Sequence, residues 1–167
     1  MLGQAKALAL MTLGLTQAAS AVGHAYVYNN CDFGVTLWSV GSNIAPSNYL
    51  DSRSNYFETF TVDPTTGGRA LKITREPDGL FTAKPQTVFA YNLRDGAVWY
   101  DLNDVYGDPF AGHKLLLRSA DRSCPSIVWP QGIPPGGSQV KNCRDGADVI
   151  LTLCAERPIP GAAEESA

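Results

Sequence analysis

Few residues in this chain have the types and spacing that could support chemistry. Four cysteines, Cys31, Cys124, Cys143 and Cys154, accompany only two histidines, His24 and His113. No cysteine pair has the close spacing of a zinc site. An even set therefore reads as two disulfides formed in an oxidising compartment, with three pairings open. The histidines allow one remote alternative. Were His24 the first residue of a processed chain, its amine and imidazole together with His113 would offer three nitrogens suited to Cu(II). The simpler reading places both histidines at surface or strand-end positions, and no cofactor is expected.

Aromatic rings are the second resource. Tyr26, Tyr28, Trp38, Trp99, Tyr100 and Trp129 exceed what the core of a small domain obviously needs, and flat rings stack on sugars. Trp38 and Trp99 read as core. Trp129, beside a Pro- and Gly-rich loop, reads as the best ligand contact, with Tyr26 and Tyr28 on one strand face as further candidates.

The elements that position these residues read as strands. From His24 to Ser42 two short apolar runs flank a turn-rich break at Asn29 to Asp32, the pattern of a first hairpin. Brief apolar runs then recur at about ten-residue spacing, the mark of an all-β sandwich or barrel. Arg69 to Arg75 and Ala97 to Asn103 alternate with a two-residue period, the latter placing Val98, Tyr100 and Leu102 on one face. Tyr56 to Thr61 and Gln86 to Leu93 fill the middle, and His113 to Leu117 and Asp148 to Leu153 are suited to pair late in the chain. Asp63 to Gly68, Glu76 to Gly79 and Arg94 to Gly96 read as hairpin connections. Pro130 to Gly137 must be an exposed loop.

Met1 to Ala21 carries one charge, Lys6, an apolar run Ala7 to Leu15 and small residues before a cleavage point, the grammar of a secretory signal. Cleavage leaves Val22 or His24 first. No other stretch is apolar enough to span a bilayer. Loss of the signal removes one of the 13 basic residues and none of the 16 acidic ones, taking the formal charge from −3 to −4. With no basic cluster to meet phosphates, nucleic acid and anionic membranes are excluded as partners. Residues 22–154 are expected to form one domain and 155–167 a disordered tail.

Several blocks carry a family resemblance. Asn29-Asn30-Cys31-Asp32-Phe33, Trp38-Ser39-Val40-Gly41, Pro85 to Tyr91, Gly107 to Gly112 and Cys124 to Pro130 resemble the fungal Blastomyces yeast-phase-specific domain family, a small branch of the thaumatin-like proteins. That resemblance implies a secreted antiparallel β-sandwich, sometimes described as antigenic. It also implies a pairing of Cys31 with Cys154 and of Cys124 with Cys143, which would tie the last strand to the first and fasten the Pro-rich loop.

The wider thaumatin-like family implies a cleft whose carboxylates serve as acid and base on a glycosidic bond. Asp101 matches one of them, whereas Ala90 and Tyr106 stand where the family places acids. Asp104 and Asp108 are near in sequence and could form a cluster with Asp101, but read more simply as turn and surface acids. A single carboxylate cannot be both acid and base, so no catalytic residue is assigned. The expectation is a monomeric, non-catalytic, secreted or wall-associated binding protein, antigenic or host-interacting, whose partner is a wall polysaccharide or a host protein. The alternative is a β-glucan-binding or weakly hydrolysing one. Asp101, Trp129, Tyr26 and Tyr28 are the candidate ligand contacts.

Overall fold

The computed structural model describes residues 21–158 of the 167. The expected signal peptide, apart from Ala21, and the tail beyond Pro158 lie outside the described residues. Eleven strands follow one another: β1 (His24–Asn29), β2 (Val35–Val40), β3 (Asn48–Leu50), β4 (Asn55–Thr59), β5 (Gly68–Thr74), β6 (Gln86–Arg94), β7 (Ala97–Val105), β8 (Leu115–Ser119), β9 (Ile127–Trp129), β10 (Lys141–Arg144) and β11 (Val149–Leu153). Among the described residues there is no helix, hence none to cross a membrane. Five strands form one sheet in the order β4-β1-β11-β8-β9, and six form the other in the order β10-β7-β6-β5-β2-β3. All neighbours are antiparallel except β1 and β11, which run parallel. The chain is an all-β sandwich of two sheets.

Two-residue alternation decides which side chains fill the space between the sheets. Ala25 and Val27 of β1 and Leu151 and Leu153 of β11 meet Leu37, Leu71, Phe89 and Leu102 from the opposite sheet, all essentially inaccessible to solvent. The β6–β7 hairpin closes tightly because Asp95 and Gly96 both adopt positive φ, 54° and 74°. This geometry matches the right-handed twist of the paired strands.

The stretch from His24 to Ser42 is not a hairpin. Both edges of β1 are taken, by β4 and β11, and β2 lies in the other sheet. Side chains build the corner between them. The Asn29 amide donates to the carbonyls of Phe33, Leu50 and Asp51, and its oxygen accepts the Cys31 N–H. The Asn30 amide donates to the carbonyls of Cys154 and Arg157, while the Arg53 guanidinium donates to the Asn30 oxygen. Such side-chain bonds replace a backbone turn.

Asp63 to Gly68 also crosses between sheets instead of closing a hairpin, since β4 and β5 lie on opposite layers. The buried Asp63 carboxylate organises this crossing. It accepts from the backbone N–H groups of Thr66, Ser42 and Thr65 and from the Ser42 hydroxyl, and those bonds hold it far below the usual carboxylate range.

Cys31 is joined to Cys154 and Cys124 to Cys143. The first bridge ties the ends of β1 and β11. The second reaches across the sandwich, since Cys143 lies on β10 of the six-stranded sheet and Cys124 just before β9 of the other.

Trp129 is not at the surface. On β9, Ile127 and Trp129 point inward and Val128 outward, leaving Trp129 0% exposed. The loop beyond it is pressed onto the Phe110 segment. A Cβ at Gly132 (φ 63°) would lie 2.0 Å from the Phe110 carbonyl oxygen. The exposed Pro-rich loop begins outside that contact. The start of the expected tail is also ordered: Ala155 donates to the Lys114 carbonyl, and Glu156 accepts from the Lys114 N–H.

Two consequences are measurable. Closing the loop of 123 residues between Cys31 and Cys154 constrains the unfolded chain by roughly 5 kcal/mol, against roughly 3 kcal/mol for the 19 between Cys124 and Cys143. Cys31→Ser should therefore lower Tm more than Cys124→Ser in a thermal melt. Trp129→Ala should cost roughly 3 to 5 kcal/mol in a denaturant titration; a loss below 1 kcal/mol would show that the ring is not core.

Candidate binding site on the outer face of the six-stranded sheet

Strand β7 places Val98, Tyr100 and Leu102 in the core, so Trp99, Asp101 and Asn103 must face out. Strand pairing then sets their neighbours. One row across the sheet reads Val40, Ala70, Ala90 and Asp101, and the next reads Gly68, Asn92, Trp99 and Asn142. Small residues in the middle of these rows leave a trough between bulkier margins. On one side the row of Trp38, Lys72 and Val88 rises, with Phe81 set edge-on against Trp38 at 6.2 Å. On the other stand Trp99, 40% exposed, and Val140. The resulting cleft has a volume of about 460 Å³.

Asp101 is its one carboxylate. It accepts the N–H of Leu102 at 2.9 Å, and among the described residues no cation pairs with it. Arg69 also borders the cleft, but its guanidinium is engaged beneath the floor. It donates to the Ser39 hydroxyl at 3.0 and 3.1 Å and lies 3.4 Å from Glu58. Glu58 in turn accepts from the hydroxyls of Tyr56 and Tyr91 at 2.7 and 2.5 Å. Burial, and then the bond to Glu58, push both phenols well above their ordinary range. This network fixes the floor of the cleft and leaves Asp101 uncompensated above it.

The other expected contacts lie elsewhere. Tyr26 stands on the outer face of the five-stranded sheet, its ring stacked on Phe57 at 5.3 Å; Tyr28 is half-buried on the same strand face. Trp129 is core. None of the three meets Asp101. Trp99, read from sequence as core, is instead the exposed ring of the cleft. The alternation that assigns Val98 and Tyr100 to the core already sets Trp99 beside Asp101. Asn92 and Val140 carried no comparable signal.

The copper arrangement does not form. His24 opens β1 beside Asp148, whereas His113 packs on Phe33 and Glu156 near the other end of that strand, roughly 16 Å away at 3.3 Å per residue. Gly23 is itself bonded in, donating to Asp145 and accepting from Phe60. Among the described residues two groupings of possible metal ligands occur, His113 with Cys154 and Glu156, and Asp121 with Cys124 and Cys143; each relies on sulfur already held in a disulfide.

Asp101, Asp104 and Asp108 do not form one cluster. Asp104 has the inward parity of β7. It accepts from the Thr87 hydroxyl at 2.6 Å, while its other oxygen is buried without a partner. Asp108 approaches it across a turn in which Tyr106 and Gly107 take φ of 63° and 120°. Burial, reinforced by Asp108, pushes the Asp104 carboxyl from 3.8 to about 7. Between those values the unfolded chain has released this proton and the folded chain still holds it. The contribution is therefore most favourable below about pH 4, falls as pH rises, and levels off above about 7. Asp121, held down to about 2 by Ser123 and Arg144, acts only at lower pH. Tm should thus be lower at pH 8 than at pH 5, and Asp104→Asn should remove most of the difference. An unchanged pH slope in that variant would refute the assignment.

The chain matches the Blastomyces yeast-phase-specific protein family over residues 12–155. It is 27% identical over 148 residues to the antigenic thaumatin-like protein of Arthroderma benhamiae, covering 83% of this chain and 74% of that one. It is 24% identical over 145 residues to the secreted thaumatin-like protein calA of Emericella nidulans, covering 80% and 82%. Among solved structures, the protein elicitor MoHrip2 from Magnaporthe oryzae superposes with a TM-score of 0.66 at 22% identity, over 79% of this chain and 98% of that one. The thaumatin-like xylanase inhibitor TLXI gives 0.53 at 12%, over 78% and 98%. With the family match spanning nearly the whole sandwich, this chain belongs to the Blastomyces yeast-phase-specific protein family and has the thaumatin-like fold.

Proposed function

We propose that this is a secreted, non-catalytic binding protein whose ligand is a wall polysaccharide lying across the outer face of the six-stranded sheet, on Trp99 and Asp101. One observation carries the reading. The cleft holds an exposed indole two residues from a single carboxylate, and the residue paired with Asp101 across the sheet is Ala90. Glycoside cleavage needs two carboxyl groups flanking the bond, and Asp104 lies on the other side of β7. An open trough with one ring, one amide and one acid is suited to hold a sugar chain without cleaving it. Two relatives named as secreted or antigenic, and two disulfides, support an extracellular place for it.

The test is retention of the purified protein on insoluble β-glucan, chitin, deacetylated chitin and cellulose. Wild type should be held by at least one of them and release no reducing sugar. Trp99→Ala should abolish retention while moving stability by less than about 1 kcal/mol, since its ring is half in solvent. Retention by no polymer would remove the reading, and turnover lost in Asp101→Asn would show that the protein is an enzyme.

A further inference from the structure

Asp101 gives the cleft a negative charge that a neutral sugar chain would leave unpaired. An ionised carboxylate accepts from hydroxyls and pairs in full only with a cationic donor, and among the described residues no cation is paired with Asp101. Ala70 and Ala90 lie beside it in its row, and Arg69 is committed to Glu58 and Ser39 beneath the floor. Lys72 belongs to the neighbouring row and is two strands away. Lys141 pairs with Tyr100, whose parity is inward. The chain as a whole is acidic, so its field draws cations and repels anions.

The second observation is Trp99. It precedes Asp101 on the same face by two residues, roughly 6.6 Å along the strand, and it is exposed on the cleft wall. An indole face and an unpaired carboxylate at that separation are complementary to a cation, since both attract positive charge and neither supplies any. Asn92 beside Trp99, with Val40 and Val140 at the margins, offers an amide for hydroxyls and apolar surface for the faces of sugar rings. Taken together, the lining matches a polymer that repeats a ring and an ammonium group.

We propose that the ligand of this cleft is an extended chain of amino sugars bearing free primary ammonium groups, a deacetylated glucosamine polymer, with one ammonium held between Asp101 and the Trp99 ring. This rests on the reading of the cleft as a polysaccharide site and names the substrate class for it. N-acetylation removes the charge and adds bulk at the position Asp101 would grip, so the acetylated polymer should be discriminated against.

The experiment is isothermal titration of the full secreted protein with four probes: a glucosamine hexamer, the N-acetylglucosamine hexamer, a β-1,3-linked glucose hexamer and a lysine-rich peptide of equal charge to the first. The glucosamine hexamer should bind at least tenfold more tightly than any other probe and weaken as salt is raised. Asp101→Asn, checked for an unchanged Tm, should erase that preference. Equal or tighter binding of the acetylated or glucose hexamer would overturn the ammonium inference and leave the polysaccharide reading standing. Equal or tighter binding of the peptide would show that the cleft takes protein cations and overturn the amino-sugar source. Binding of none of the four would remove the inference, and with no retention on the insoluble polymers the polysaccharide reading would fall as well.

Discussion

Strand β1 has no free edge. It runs parallel to β11 along its whole length, from Ala25 opposite Val149 to Asn29 opposite Leu153, and antiparallel to β4 on its other side. Where the parallel pair ends, Cys31 is bonded to Cys154 and the amides of Asn29 and Asn30 bind five carbonyls contributed by three separate segments. A buried amide that loses such partners leaves them unsatisfied at roughly 1 to 3 kcal/mol each. The order of the five-stranded sheet, the height at which β2 begins and the placement of the Asp51 corner all follow from this junction.

The two outer faces of the sandwich are finished differently. On the five-stranded sheet the exposed rings spend their surfaces on one another, with Phe57 stacked on Tyr26 and His24 edge-on to both. On the six-stranded sheet the segment after β5 covers Trp38 and stops short of the row containing Ala70 and Ala90, so Trp99 meets no ring of its own kind. Aromatic count alone does not distinguish the two faces. What matters is whether a ring's face is already occupied, and that depends on cross-strand register.

Much of this was legible in the sequence because strand alternation is local. The two-residue period placed β5 and β7 correctly, and turn residues marked the β6–β7 connection. The failures have a common cause. His24 to Ser42 looked like a hairpin because the pattern records strands and breaks but not which strand takes each edge, and β1 is claimed by a strand more than a hundred residues later. Trp129 looked exposed because it borders a Pro-rich loop, whereas the fold of that loop depends on a backbone contact at Gly132 with a distant segment. The family resemblance pointed to Asp101 but not to its uncompensated charge. That property belongs to Arg69, which the fold turns under the sheet toward Glu58.

The parallel pairing of the first strand with the last also constrains how the molecule can be made. Its contact order is high: β1 leaves the ribosome early, yet its partner β11 is among the last segments synthesised, with nine strands between them. Non-local closure of this kind is slow, since loop entropy is lost before any pairing compensates it. During synthesis β1 must therefore wait with one edge open and Cys31 unpaired. Cys124 and Cys143, 19 residues apart, are placed to oxidise before the long bridge can. Maturation is thus ordered by distance along the chain, and the last bond to form encloses all the others.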